Sequence, residues 1–330
     1  MGHLKRKWSL LEYEYRGVTA WIQVLLQESG INGMERREGM KKKWKKGIIN
    51  IYYIPALLLF GVFVIYPLLK GIQISFTNWD GFSQKYSNVG LRNYQTLLHD
   101  SHIKTTLANT VIYGFGSTLL QNVIGLAYAL FLNRKFAGRN VARAVIYMQA
   151  MVASLIMGYM YYFILQYDGG ALNDIMHVLG LEAVDWLSSG QRAVILITLI
   201  NSIQFVGVSM ILYLAGLQGI STSYYEAAEL DGAGFWQKFR YITWPLLIPA
   251  VTSSVMLNLI GGLKLFDIIQ SLTAGGPGFA SHSLATLVSY TYFRGQNAGY
   301  SATIGIFSFA LIMIVSIVLM KYFSKKEGNV

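Results

Sequence analysis

Residues 224–245 read YYEAAELDGAGFWQKFRYITWP, a polar stretch set between two strongly apolar segments. Glu226, Glu229, Asp231, Lys238 and Arg240 make it too polar to cross a bilayer. Its order also separates it from a slack loop. Tyr224 to Asp231 is rich in helix formers, and Ser221, Thr222 and Ser223 stand before it as candidate caps. Gly232 and Gly234 then permit a turn with positive φ or a close backbone approach. Phe235, Trp236, Phe239 and Tyr241 supply aromatic anchors of the kind enriched at interface centres. Pro245 falls where an apolar run begins, a position that tolerates a missing N–H, and so reads as the entry to a new span. The stretch predicts a short helix, a sharp turn and a second helix, together a stiff knob between two spans.

Working outward, the rest of the chain is membrane-like. Of 330 residues, 54% are hydrophobic and only 13% charged, where a soluble domain carries about a quarter charged. Six runs reach the roughly 20 apolar residues that a membrane helix needs: 48–69, 107–132, 142–167, 192–217, 245–266 and 303–323. Strand-like alternation is absent, so the expected fold is an all-α integral membrane protein of six transmembrane helices. Cysteine is absent, which excludes disulfides, Cys-zinc sites and thiol catalysis. The net charge of +11 is no nucleic-acid footprint, because lysine and arginine cluster beside the apolar runs.

That clustering fixes direction through the excess of Lys and Arg in cytoplasmic segments. The tail 1–47, Arg134, Lys135, Arg139 and Arg143 after the second run, Lys238 and Arg240 in the knob, and Lys321, Lys325 and Lys326 at the end hold 20 of the 27 basic residues. Both termini and the knob are therefore expected in the cytoplasm. Residues 1–46 form a basic tail distinct from 47–330. Within it Leu11, Tyr15, Val18, Ile22 and Leu25 make one stripe of an expected amphipathic helix. Arg36, Arg37 and Lys41 to Lys46 follow, suited to anionic lipid at about 1 kcal/mol each.

Glu226-Ala227-Ala228, then Gly232, then Ile242 and Pro245 match the EAA motif of permease subunits in binding-protein-dependent ABC importers. The likeness continues in Ser75-Phe76-Thr77-Asn78-Trp79, in Val89-Gly90-Leu91-Arg92-Asn93-Tyr94, in Tyr213-Leu214-Ala215-Gly216-Leu217-Gln218, and in Phe266-Asp267 with Leu272-Thr273-Ala274-Gly275-Gly276-Pro277. Over residues 48–323 the chain most resembles the carbohydrate branch related to maltose-transport permeases. Trp244 departs from the leucine usual there. The resemblance implies a cytoplasmic coupling helix between helices 4 and 5, in which Glu226, Ala227, Ala228, Asp231, Gly232, Ala233, Gly234 and Pro245 dock an ATPase subunit. It implies a second permease chain and an extracytoplasmic solute-binding protein as further partners. ATP and Mg would be bound by the ATPase subunits, with no cofactor in this chain and no nucleic-acid partner. The expected location is a prokaryotic cell membrane.

Polar groups at membrane depth mark either a pathway or helix–helix hydrogen bonds. Asn201 and Gln204 share a helical face; Asn258, Gly262 and Lys264 lie in the fifth run, with Phe266 and Asp267 at its outer end. Related permeases contact sugar at positions aligning with Asn201, Asn258, Gly262 and Lys264, so these seven residues form the expected substrate pathway. Gln121, Asn122 and Gln149 are lesser candidates. Lys264 and Asp267, three apart, are expected to neutralise each other; an unpaired Lys264 would instead suit an anionic substrate such as a uronate or glycerol phosphate.

No P-loop, H-E-x-x-H or G-x-S-x-G pattern occurs. His99 and His102 read as a solvated pair rather than a metal site. The leading function is a permease subunit of an ATP-driven importer for a carbohydrate, an oligosaccharide. The alternative, a transporter driven by an ion gradient, predicts repeat symmetry and broken helices, and no repeat is present.

Overall fold

The computed structural model describes residues 53–327, which divide between Pro67 and Leu68 into two units. The tail 1–46 and its expected amphipathic helix lie outside the described residues. Regular structure among the described residues is helical throughout, with one isolated bridge between Thr77 and Asn88.

The described part of the first unit is the beginning of α1 (Ile54–Ser75). Pro55 stands in its first turn, where no intrahelical N–H is needed. Leu57, Leu58, Phe60 and Phe63 are all exposed, a surface that lipid tolerates and water does not.

The second unit continues with α2 (Arg92–His99), α3 (Ser101–Leu132), α4 (Arg139–Met151), α5 (Ser154–Leu165), α6 (Ala171–Val178), α7 (Gly190–Gln218), α8 (Thr222–Leu230), α9 (Phe235–Leu263), α10 (Asp267–Leu272), α11 (Leu284–Phe293) and α12 (Ala298–Glu327). α7 is the central post, the most buried of the long apolar helices described. It packs against α3, α4 and α9. Small residues permit this closeness. A Cβ on Gly125 would stand 2.6 Å from Ser209 Cβ, and one on Gly207 would stand 2.6 Å from the Ile146 carbonyl oxygen. Two apolar clusters flank the post. Tyr113, Ile197, Ile200, Ile268 and Leu272 form one, and Ala129, Leu132, Met210, Tyr213 and Leu247 form the other. Asp100 caps α3 by accepting from the His102 N–H at 2.9 Å, which starts that helix earlier than the apolar run suggests.

Five helices, α1, α3, α7, α9 and α12, are long and apolar enough to cross a membrane. The third expected span, 142–167, is not one helix. It divides into α4 and α5, bent by 96° at the break. Val152 and Ala153 are extended there, with ψ of 133° at both. Gln204 Nε2 on α7 donates to the Val152 carbonyl at 2.8 Å, satisfying a group that the break frees.

The second departure concerns Pro245. α9 starts at Phe235 and runs through a π turn, Phe239–Thr243, so Pro245 lies inside a continuous helix rather than at its entry. The physical reason repeats elsewhere. A proline ring crowds the carbonyl four residues back, and a widened π turn relieves that crowding. In α1, Pro67 likewise follows a π turn, Gly61–Ile65.

Candidate functional site

A cavity of about 180 Å³ opens among four helices and a joint. α3 contributes Gln121, α5 contributes Ser154, α7 contributes Asn201 and Phe205, and α9 contributes Leu257, Asn258, Gly261 and Gly262. Lys264, Leu265, Phe266 and Asp267 close it where α9 passes into α10. Six of the seven expected pathway residues therefore meet at one site. The seventh, Gln204, does not line it. It is fully buried and holds the α4–α5 break. Of the lesser candidates Gln121 is present, while Asn122 accepts from the Tyr213 hydroxyl at 2.6 Å and ties α3 to α7. Gln149, half-buried on α4, is not part of the lining.

The polar groups are only partly committed. Gln121 Nε2 donates to the Asn201 carbonyl at 2.9 Å, and its Oε1 is buried without a partner. Asn258 Nδ2 donates to Ser209 Oγ at 2.6 Å. Gly262 is a packing requirement, since a Cβ there would stand 2.7 Å from the Tyr113 carbonyl oxygen. Lys264 and Asp267 do not neutralise each other, contrary to expectation; the single ion pair among the described residues is Lys238 with Glu229. Lys264 closes the end of α9 and Asp267 opens α10, so the helix break between them turns their side chains out of helical register. Amides, a hydroxyl, two aromatic rings and one charge of each sign suit hydroxyl-rich ligands by hydrogen bonding and stacking.

Phe205, one turn after Asn201, was legible from helical spacing. Ser154 was not, because only the unforeseen break brings it to the cavity.

The polar knob forms as its residues suggest. Ser221 caps α8, its Oγ accepting from the Ser223 N–H at 3.4 Å. Asp231 ends α8 and Gly232 turns the chain with φ +76°. Ala233 N–H closes back on the Ala228 carbonyl at 2.8 Å. Gly234 keeps an ordinary negative φ and donates its N–H to Gln237 Oε1 at 2.8 Å, starting α9. Lys238 Nζ donates to Glu229 Oε1 at 2.6 Å. That hydrogen bond, and then the Lys238 charge, hold the Glu229 carboxyl below the usual carboxylate range. Glu226 and Ala227 are exposed, as are Leu230, Phe235, Trp236 and Tyr241.

The loop 273–283 contains the residue that sequence reasoning passed over. His282 is 3% exposed and its Nδ1 lies 3.0 Å from Thr286 Oγ1. Burial holds its imidazole below the ordinary histidine range, and the charge of His102 adds to this. His102 is exposed, as expected, and lays its ring against Phe279 with centroids 4.4 Å apart. Asn109 Nδ2 on α3 donates to the Ala280 and His282 carbonyls at 2.7 and 3.1 Å, and the Tyr113 hydroxyl donates to the Ser281 carbonyl at 2.8 Å. Among the described residues no group of three or more His, Asp or Glu could hold a metal ion.

Long apolar helices around a cavity, with an exposed polar knob on the helix that lines it, define a membrane component of a transport system. Residues 121–328 match the binding-protein-dependent transport system inner membrane component family, and the chain belongs to it. A probable starch degradation products transport system permease of Thermoanaerobacterium thermosulfurigenes is 31% identical over 287 residues, 87% of this chain and 97% of that protein. The trehalose/maltose transport system permease of Thermococcus litoralis is 32% identical over 289 residues, 87% of this chain and 98% of that one. The multiple sugar-binding transport system permease of Streptococcus mutans is 31% identical over 285 residues, 85% and 98% of the two chains. In fold, the chain is similar to a bacterial ABC transporter that imports the acidic polysaccharide alginate, with a TM-score of 0.73 at 20% identity, over 88% of this chain and 99% of that one. The protein is a permease subunit integral to a bacterial or archaeal membrane.

Proposed function

We propose that this permease carries a carbohydrate, an oligosaccharide, inward through the cavity of Gln121, Asn201, Asn258 and Lys264, driven by ATP hydrolysed on separate subunits. The observation that carries the reading is the continuity of α9. One helix begins in the exposed knob at Phe235 and ends beside the cavity at Leu263, with Asn258 and Gly262 on its cavity wall. The names of the curated relatives, which transport starch products, trehalose, maltose and multiple sugars, support the substrate class. The amide and aromatic lining supports it independently.

In this reading the chain has six spans, with the bent α4–α5 pair as the third and both termini in the cytoplasm. Residues 1–46 are a basic tail against anionic lipid and 47–330 are the transmembrane domain. Glu226, Ala227, Ala228, Asp231, Gly232, Ala233 and Gly234, with Pro245 behind them, dock an ATPase subunit that binds ATP and Mg. A second permease chain completes the pathway, and a solute-binding protein delivers substrate. Closure of the ATPases moves α8, α9 follows, and the cavity changes sides; the substrate favours each state through its different contacts there. The family assignment sets aside the gradient-driven alternative. An anionic substrate remains a second reading, favoured by a Lys264 without an ion pair and opposed by Asp267 in the same lining.

Uptake into vesicles containing the complete complex tests the proposal. Import of a labelled oligosaccharide is expected to require ATP and every partner; import by this chain alone on an ion gradient overturns it. Asn258→Leu removes a buried donor to Ser209 and is expected to lower uptake about ten-fold or more, at a cost of about 1–3 kcal/mol, while the ATPase still co-purifies. Unchanged uptake would remove Asn258 from the pathway.

A further inference from the structure

A displaced α8 can move α9 only if the joint between them resists bending. The backbone there is a poor strut. It consists of the turn 231–234, with Gly232 at φ +76°, followed after one turn of α-helix by the π turn Phe239–Thr243. A π turn is a local widening with irregular hydrogen bonding, so it is the place where α9 yields first. Two side-chain ties cross from α8 to this weak region. Lys238, the residue just before the π turn, donates from Nζ to Glu229 Oε1 at 2.6 Å. Thr243, the last residue of the π turn, has its Oγ1 3.0 Å from the Tyr225 hydroxyl. The ties therefore bracket the widened turn from both ends.

Their surroundings favour a mechanical role over solvation. The Lys238 side chain is only 18% exposed, although its partner Glu229 is 69% exposed. Thr243 is buried at 5%. Tyr225 and Glu229 are four apart, hence on one face of α8, the face turned toward α9. Tyr224, Leu230, Phe235, Trp236 and Tyr241 are exposed and available to a partner, while Phe239 is half-buried. The segment thus presents one side outward and uses the other to grip its own helix.

We infer that Lys238 and Tyr225 are positioning residues for coupling. They clamp α8 onto the π turn of α9, so that movement imposed on α8 reaches Leu257, Asn258 and Gly262 as rotation of one body instead of flexing the joint. This rests on the proposed docking of an ATPase at α8.

The complete complex in proteoliposomes tests it, read as substrate imported per ATP hydrolysed, alongside ATPase co-purification and thermal melting of the complex. K238E and E229K are each expected to lower the ratio about two- to five-fold, the range an exposed pair supports, with the ATPase still bound and hydrolysing. The swap K238E/E229K restores most of the ratio, as does K238R in place of K238E. Y225F lowers it on its own, and Y225F/K238E lowers it further than either change. The clamp is overturned if the single variants keep the wild-type ratio. It is also overturned if the swap fails to restore it, since each charge would then act on a partner, or if a single charge change releases the ATPase. Failure of the underlying docking reading shows separately, in the wild type: an ATPase that does not co-purify, or uptake that needs no ATP.

Discussion

The loop 273–283 between α10 and α11 and the segment 222–243 between α7 and the apolar part of α9 are built in opposite ways. In the loop, Ser281, His282 and Ser283 are buried, and α3 claims its carbonyls through Asn109 and Tyr113. Ser283 Oγ adds a bond to the Leu265 carbonyl at 2.7 Å, directly behind the cavity wall. In the segment, Leu230 is 90% and Trp236 76% exposed, and the side-chain ties to its own helix are those of Lys238 and Tyr225. The loop has already satisfied its polar groups internally. The segment has left its largest apolar surfaces open. A connection finished in the first way holds the cavity's surroundings fixed, and one finished in the second way leaves an apolar surface of the kind that partners cover.

The sharpest way to break this contrast is Gly275→Val. Gly275 has φ +87°, and a Cβ there would stand 2.1 Å from the His282 ring. The substitution is expected to cost about 3 kcal/mol or more and to lower the melting temperature of the detergent-solubilised protein. A tolerated valine would mean that the loop is not fixed. Asn109→Leu comes next, leaving the buried His282 carbonyl and the half-buried Ala280 carbonyl without their donor; about 2 kcal/mol should be lost in the same melting measurement. Gly232→Val is expected to cost only about 1–2 kcal/mol, because its surroundings are open and the penalty is the positive φ. Melting should then change little while ATP-driven uptake falls several-fold; unchanged uptake would show that the turn's geometry is irrelevant to coupling.

The smallest effect is one of pH. His282 is held neutral in the folded protein, with its pKa below the ordinary value, so the unfolded chain binds the proton more readily. The contribution of this site is complete above the unfolded histidine pKa of about 6.5 and is lost progressively as pH falls from there towards the lower folded-state value. Hydrogen exchange of backbone amides in 273–283 is expected to speed up between pH 7.5 and 5.5, relative to the intrinsic rate, while 222–243 stays unchanged. Equal responses in both regions would erase the distinction between them.

Much of this was legible in the chain. Gly232, the serines before α8 and the exposed aromatics announce a turn, a cap and an interface by residue type alone, and each of these is local. Asn201 and Asn258 were legible because an amide within an apolar run has few uses, and Gly262 only through the family resemblance. The features that were missed depend on tertiary contact. Met151 to Ser154 contains neither proline nor glycine, so the break there becomes visible only with Gln204 across from it. The same amide that looked suited to substrate is consumed in holding that break. Pro245 misled in the other direction, since a π turn lets a helix pass a residue that ordinarily marks its start. His282 carried no local signal, because its burial comes from Gly275 and the rings of Phe279 and Tyr290.

One dimension of α9 has a consequence for leverage. Its 29 residues, at about 1.5 Å each, make a rod roughly 44 Å long. Pivoted near one end, such a rod tilting by about 10° sweeps its other end through roughly 8 Å. A void of about 180 Å³ is only about 7 Å across if taken as a sphere. A tilt of that size that moved the cavity end would therefore be comparable with the whole width of the chamber that α9 borders.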